Sequence, residues 1–112
     1  MSTHENVALR ATERAKVVAR RALDGEYDLL LACRDLASLT HDLSNVPRDI
    51  ADTFAGVASE VDDLPIGAER RNWSLDALKA NDTEATKYRE VVRAVVTDAL
   101  QQLLRVLDTG AE

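Results

Sequence analysis

The stretch DLLLACRDLASLTHDL, Asp28–Leu43, decides the fold. Within it Leu29, Ala32, Leu36, Leu39 and Leu43 advance by three, four, three and four residues. An apolar residue on each successive turn, always on one side, makes a helix that buries its stripe against another helix. A half-buried strand would need apolar residues at every second position, and that alternation is absent.

The same period continues outward in both directions. Downstream, SNVP (Ser44–Pro47) reads as a turn, with Ser44 or Asn45 as the cap and Pro47 in the first turn of the next helix. In that third helix Ile50, Phe54, Val57, Val61 and Leu64 advance by four, three, four and three. Asp49 and Asp52 fall in its first turn, where the helix dipole favours anions, and Pro65 and Gly67 break it. Upstream, Val7, Ala11, Ala15, Val18 and Ala22 mark a first helix. Ser2 with Glu5 has capping-box spacing, Arg20 and Arg21 suit the last turn, and Gly25 is placed to stop the helix.

Beyond residue 65 the pattern is less regular. Ser74 caps a short helix holding Leu75 and Leu78, and Asn81 with Glu84 forms a capping box opening a long last helix to about Asp108. Its stripe is Tyr88, Val92, Val95, Ala99, Leu103 and Val106, widened by Val91, Val96, Leu100, Leu104 and Leu107. So wide an apolar face implies two neighbouring helices. The expected fold is all-α: a single domain over 1–112, a four-helix, mostly antiparallel bundle with a short extra helical segment before the last long helix.

Composition agrees. Of 112 residues 46% are hydrophobic, enough for one core, but only 4% are aromatic, so Leu, Val and Ala must fill it. No apolar run approaches the roughly 18 residues that span a bilayer, and MSTHENVALR lacks the basic start and apolar centre of a secretory signal. The expectation is a cytoplasmic protein that does not engage a membrane. Cys33 is the one cysteine, so no intrachain disulfide forms. It is either a buried small hydrophobe or a reactive thiol.

Net charge is −6, unevenly spread. Residues 1–23 carry Arg10, Arg14, Lys16, Arg20 and Arg21 against Glu5 and Glu13. Residues 24–63 carry ten acids against Arg34 and Arg48. Such an acidic middle disfavours nucleic acid and suits a basic protein or a cation.

No HExxH, P-loop, GxGxxG, GxSxG, CxxC or EF-hand loop occurs. With only His4 and His41, a histidine zinc site is not expected; His41 beside Asp42 is a candidate for titration near neutral pH. No catalytic residue, metal ligand or cofactor is assigned. The acids have competing readings. Asp28, Asp35 and Asp42 repeat every seven residues beside the second helix's seam, either solvated or paired with first-helix arginines, or as a stripe that docks a basic partner. Glu60, Asp62 and Asp63, with Asp49 or Asp52, could instead supply oxygen ligands to Mg²⁺.

SEVDDLPIGAERRNW, Ser59–Trp73, concentrates charge, proline, glycine and the one tryptophan. Acids at a helix C-terminus oppose the dipole unless cations come near. Arg70 and Arg71 follow the Pro65–Gly67 break, so a clasp from Glu60 or Asp62 to Arg70, with Trp73 covering the open end of the core, is expected. A recognition surface at the same corner is the other reading.

Together, LDGEYDLLLACRDLASLTHDL and this stretch resemble a family of short, uncharacterised bacterial all-helical proteins. The resemblance rests on Gly25, Leu29, Leu30, Arg34 and Leu36 of a Gly-x-x-x-Leu-Leu-x-x-x-Arg-x-Leu element. It continues in Ser59, Glu60, Asp62, Leu64, Pro65, Gly67, Arg70 and Trp73 of a Ser-Glu-x-Asp-x-Leu-Pro-x-Gly-x-x-Arg-x-x-Trp motif. It implies no particular reaction, but directs attention to Glu60, Asp62, Arg70 and Trp73, with Arg34 as a fifth member.

The leading expectation is a non-catalytic bundle that binds a basic protein partner, most concretely an immunity or antitoxin-like protein neutralising a basic toxin. The alternatives are a metal-dependent enzyme, or a metal- or nucleotide-binding protein, using the acids around Glu60–Asp63. A homodimer through the seam of helix 2 or helix 4 is a third.

Overall fold

The structure, a computed structural model, describes residues 3–43 and 45–109, with side chains from Leu9 to Asp108 apart from Ser44. Four α-helices follow in order: α1 (Thr3–Leu23), α2 (Leu29–His41), α3 (Arg48–Glu60) and α4 (Leu75–Thr109), with a short 3-10 helix, Ala68–Asn72, before α4. No strand occurs among the described residues. Short connections turn the chain back after α1 and after α2, giving the expected mostly antiparallel four-helix bundle. The Ser2–Glu5 capping box and a Ser44 cap lie outside the described residues and side chains.

α1 ends as Gly25 implied. Gly25 has φ 79°, the left-handed region that costs other L-residues about 1–2 kcal/mol. The Glu26 N–H donates to Arg21 O at 2.9 Å and the Gly25 N–H to Ala22 O at 3.2 Å. This is the paired Schellman closure of a helix end. α1 buries Ala11, Ala15, Val18, Ala19 and Ala22, whose small side chains let its neighbours approach closely.

In α2 the buried set is Leu30, Ala32, Cys33, Leu36 and Thr40, while Leu29 and Leu39 are only half-buried. The expected seam is therefore rotated. Three successive leucines leave the phase open, and Thr40 is a tolerated core residue because its hydroxyl donates to Leu36 O at 2.7 Å. Asp28 is the N-cap, accepting from the Leu31 N–H at 3.0 Å.

α3 buries Ile50, Phe54 and Val57 as its period demands, with Val61 buried just beyond. Pro47 is its N-cap rather than a first-turn residue, so Asn45 does not cap it, and Asp52 lies beyond the first turn. The helix stops at Glu60, before Pro65. Glu60, Asp62 and Asp63 oppose the dipole there, and Pro65 disfavours helix at the residue before it.

α4 departs most from expectation. Ser74 caps it, its Oγ accepting from the Ala77 N–H at 3.2 Å, and the helix runs unbroken for 35 residues, about 52 Å. Asn81 opens no second helix: its amide donates to Ala77 O at 2.8 Å, one turn back. The expected short helical segment exists, but at Ala68–Asn72. The inward face of α4 is Ala85, Val92, Val96, Ala99, Leu100, Leu103 and Leu107. Val91 and Val95, expected inside, are exposed.

The core is one cluster fed by all four helices, with Phe54, Leu30, Leu36, Leu100 and Leu103 its largest fully buried members. Lys16 and Arg20 of α1 flank Asp108 of α4, at 3.8 and 3.2 Å. No described helix is long and apolar enough to cross a membrane.

Candidate functional site

The Ser59–Trp73 stretch forms a corner between α3 and α4. After α3, Pro65 is fully buried, and Leu64 and Ile66 pack half-buried against the core. Gly67 follows, where α2 comes close: a Cβ there would stand 2.9 Å from Glu69 Oε1 and 3.1 Å from Arg34 Nη1. The 3-10 helix then presents two charges to two different helices.

Glu69 accepts from Arg34 of α2, Nη2 at 2.9 Å and Nη1 at 3.4 Å. The Arg34 hydrogen bonds, helped by backbone N–H groups at the corner, hold the Glu69 carboxyl down to about 2. Arg70 donates through Nη1 and Nη2 to Asp82 of α4 at 2.6 and 3.0 Å, and through Nη1 to Pro65 O at 3.0 Å. This forked pairing lowers the Asp82 pKa and raises that of Arg70, the hydrogen bonds being the larger cause in each case.

Two expectations about this corner are overturned. Arg70 clasps neither Glu60 nor Asp62, because its guanidinium is turned to Pro65 O and to α4. Trp73 does not cover the core: its backbone N–H closes the 3-10 helix onto Arg70 O, the residue is 39% exposed, and it is not among the side chains packed on the core. Leu64, Pro65 and Ile66 do that covering instead. Glu69, Asp82 and Arg89 escaped the sequence reading. Asp82 and Arg89 carried a signal, since they share the helical phase of Ala85, Val92 and Val96.

The aspartates at 28, 35 and 42 do not form one free stripe. Asp28 caps α2 and accepts from Arg89 Nε of α4 at 2.7 Å, so its cation comes from α4 and not from α1. Asp35 accepts from the Tyr27 hydroxyl; burial first, then this bond and the Asp35 charge, raises the Tyr27 pKa. Arg21 sits over the Tyr27 ring, 5.7 Å from its centroid. Asp42 is exposed at the C-cap of α2, beside exposed His41. Arg34, Asp35, Arg14, Ser38 and Leu39 line an open groove of about 410 Å³ between α1 and α2.

Cys33 is fully buried and its thiol is pushed up to about 12, first by burial and then by the Asp28 charge. It is a core residue and not a nucleophile. Among the described residues no three His, Cys, Asp or Glu side chains converge to hold a metal ion, so Glu60, Asp62 and Asp63 do not assemble as ligands with Asp49 or Asp52.

What remains at the surface is the outer side of α3 and the turn beyond it. Asp49, Asp52, Glu60, Asp62 and Asp63 are all exposed, and no Lys, Arg or His lies between Arg48 and Arg70. Only Asp52 has a described cation nearby, Arg48 at 3.9 Å. The chain matches no family model, no curated protein and no solved structure.

Proposed function

We propose that this chain is a protein-binding bundle whose acidic α3 surface docks a basic partner. One observation carries the reading: Asp28, capping α2, and Asp35 within it are engaged inside the fold, whereas Glu60, Asp62 and Asp63, at and just beyond the end of α3, are not. Asp28 holds Arg89 and Asp35 holds Tyr27. Glu60, Asp62 and Asp63 take no hydrogen bond or salt bridge from any described residue. Carboxylates left without local cations raise the field that steers a basic surface into register, acting on association rate and specificity.

The shape of α3 suits that role. Between its acids the exposed positions are Ala55, Gly56 and Ser59, and nothing lies within 4 Å of a Cβ built on Gly56. Long Lys or Arg side chains of a partner can lie along this low strip and reach carboxylates at both ends. In its concrete form the reading is an immunity or antitoxin-like role, the acidic strip covering the cationic site of a toxin. The acidic character of the chain, with a net charge of −6, supports that form.

The test is co-purification with the products of adjacent reading frames, followed by titration of any captured protein over a salt series. Affinity falls steeply with salt and is lost in a Glu60→Lys, Asp63→Lys variant. Absence of a partner from the adjacent frames, or affinity indifferent to charge reversal, overturns the reading.

A further inference from the structure

Val91 and Val95 lie one turn apart on the outer side of α4, 78% and 53% exposed, while Val92 and Val96 beside them are buried in the core. By helical phase the same outer strip continues through Glu84, Lys87, Asp98 and Gln102. Lys87 is exposed with no ion pair to a described residue, and Asp98 holds only the Gln102 amide, at 2.5 Å. A short aliphatic centre flanked by charges is the anatomy of a helix-to-helix contact.

We infer that this strip binds a second copy of the chain, the two α4 helices running antiparallel about a twofold axis between positions 91 and 95. The charges choose both occupant and direction. Antiparallel, Val91 meets Val95 of the second copy, Lys87 meets its Asp98, and Glu84 meets the amide of its Gln102. Each contact occurs twice, as a twofold interface requires. A parallel pair would set Lys87 against Lys87, Asp98 against Asp98 and Glu84 against Glu84. A basic partner would meet Lys87 one turn from the valines, so this strip differs in kind from the acidic α3 surface and does not depend on its reading.

Sedimentation equilibrium on the intact chain is the test, expected to read twice the 12.3 kDa chain mass. Lys87→Asp or Asp98→Lys alone sets like charges together and weakens the dimer about tenfold. Both in one chain restore it, because each pair is reversed rather than broken. Val91→Asp yields monomers with an unchanged helical circular dichroism spectrum. A single-chain mass at millimolar concentration, a double variant no tighter than the singles, or a dimer indifferent to Val91→Asp overturns the inference.

Discussion

Arg70 reaches forward to Asp82, twelve residues on, rather than back to the acids ending α3, and so fastens the corner to α4. Both side chains are substantially exposed, at 39% and 50%, so solvent screens the pair and its value lies in geometry. A double-mutant cycle with Arg70→Ala and Asp82→Ala, read by urea melts, gives favourable coupling. The same cycle on Arg70 and Asp62 gives none.

The Arg34–Glu69 pair makes stability depend on pH in a stated window. Glu69 has a folded-state pKa of about 2 against an ordinary 4.5. A carboxyl whose pKa is depressed on folding contributes stability that is fully present above its unfolded value and is lost as pH falls through the folded one. Urea melts of wild type and Glu69→Gln should therefore differ by a constant above about pH 5 and converge toward pH 2. Asp82 shifts in the same direction and remains in both proteins. A gap that widens as pH falls contradicts the assignment.

The one-sided periods were legible in the sequence because burial imposes them: Ile50, Phe54, Val57 and Val61 lie where their spacing put them. The phase of α2 was less so, since any of Leu29, Leu30 and Leu31 can lead a stripe until neighbours are known. Asn81 misled because the residue types that cap a helix also bond back one turn within it, as its contact with Ala77 O shows. The corner's partners were hidden for another reason. Periodicity orders residues within an element, whereas Arg34–Glu69 and Arg70–Asp82 join an irregular turn to two helices. Gly67, Glu69 and Arg70 were visible as residues, but not their directions.

Two aromatic residues separate core from corner. Phe54 is fully buried, and Phe54→Ala should cost about 3–5 kcal/mol through lost transfer energy and a cavity. Trp73→Ala, at an exposed residue, should change stability by no more than about 0.5 kcal/mol. Trp73 is the one tryptophan, so fluorescence excited beyond the absorption of Tyr27 and Tyr88 reports on it alone, and iodide should quench native emission readily. Protection from iodide would return Trp73 to the core.

Cys33 gives a chemical measure of opening. Its thiol is buried and pushed up to about 12, so the thiolate that reacts with disulfide reagents is scarce at pH 8. Labelling of the native protein should be slow and should accelerate as urea populates the unfolded state, in step with the loss of helicity. Fast labelling without urea would mean that α2 opens locally.

Gly67 is where the corner's two halves are most tightly interdependent. A Cβ at this position meets the flexible ends of Glu69 and Arg34 at 2.9 and 3.1 Å, so its nearest contacts are side-chain atoms rather than backbone. Alanine is therefore accommodated by moving side chains and not by refolding the turn. The expected result of Gly67→Ala is a folded protein with a modest loss of stability, in which Arg34 and Glu69 are pushed apart. Once Glu69 loses its guanidinium its carboxyl rises toward 4.5, and the acid-side slope of stability flattens to match Glu69→Gln. Adding Glu69→Gln to Gly67→Ala should then change that slope no further, since both act on one contact. Independent effects on the slope would show that Gly67 serves the backbone of the corner rather than the salt bridge beside it.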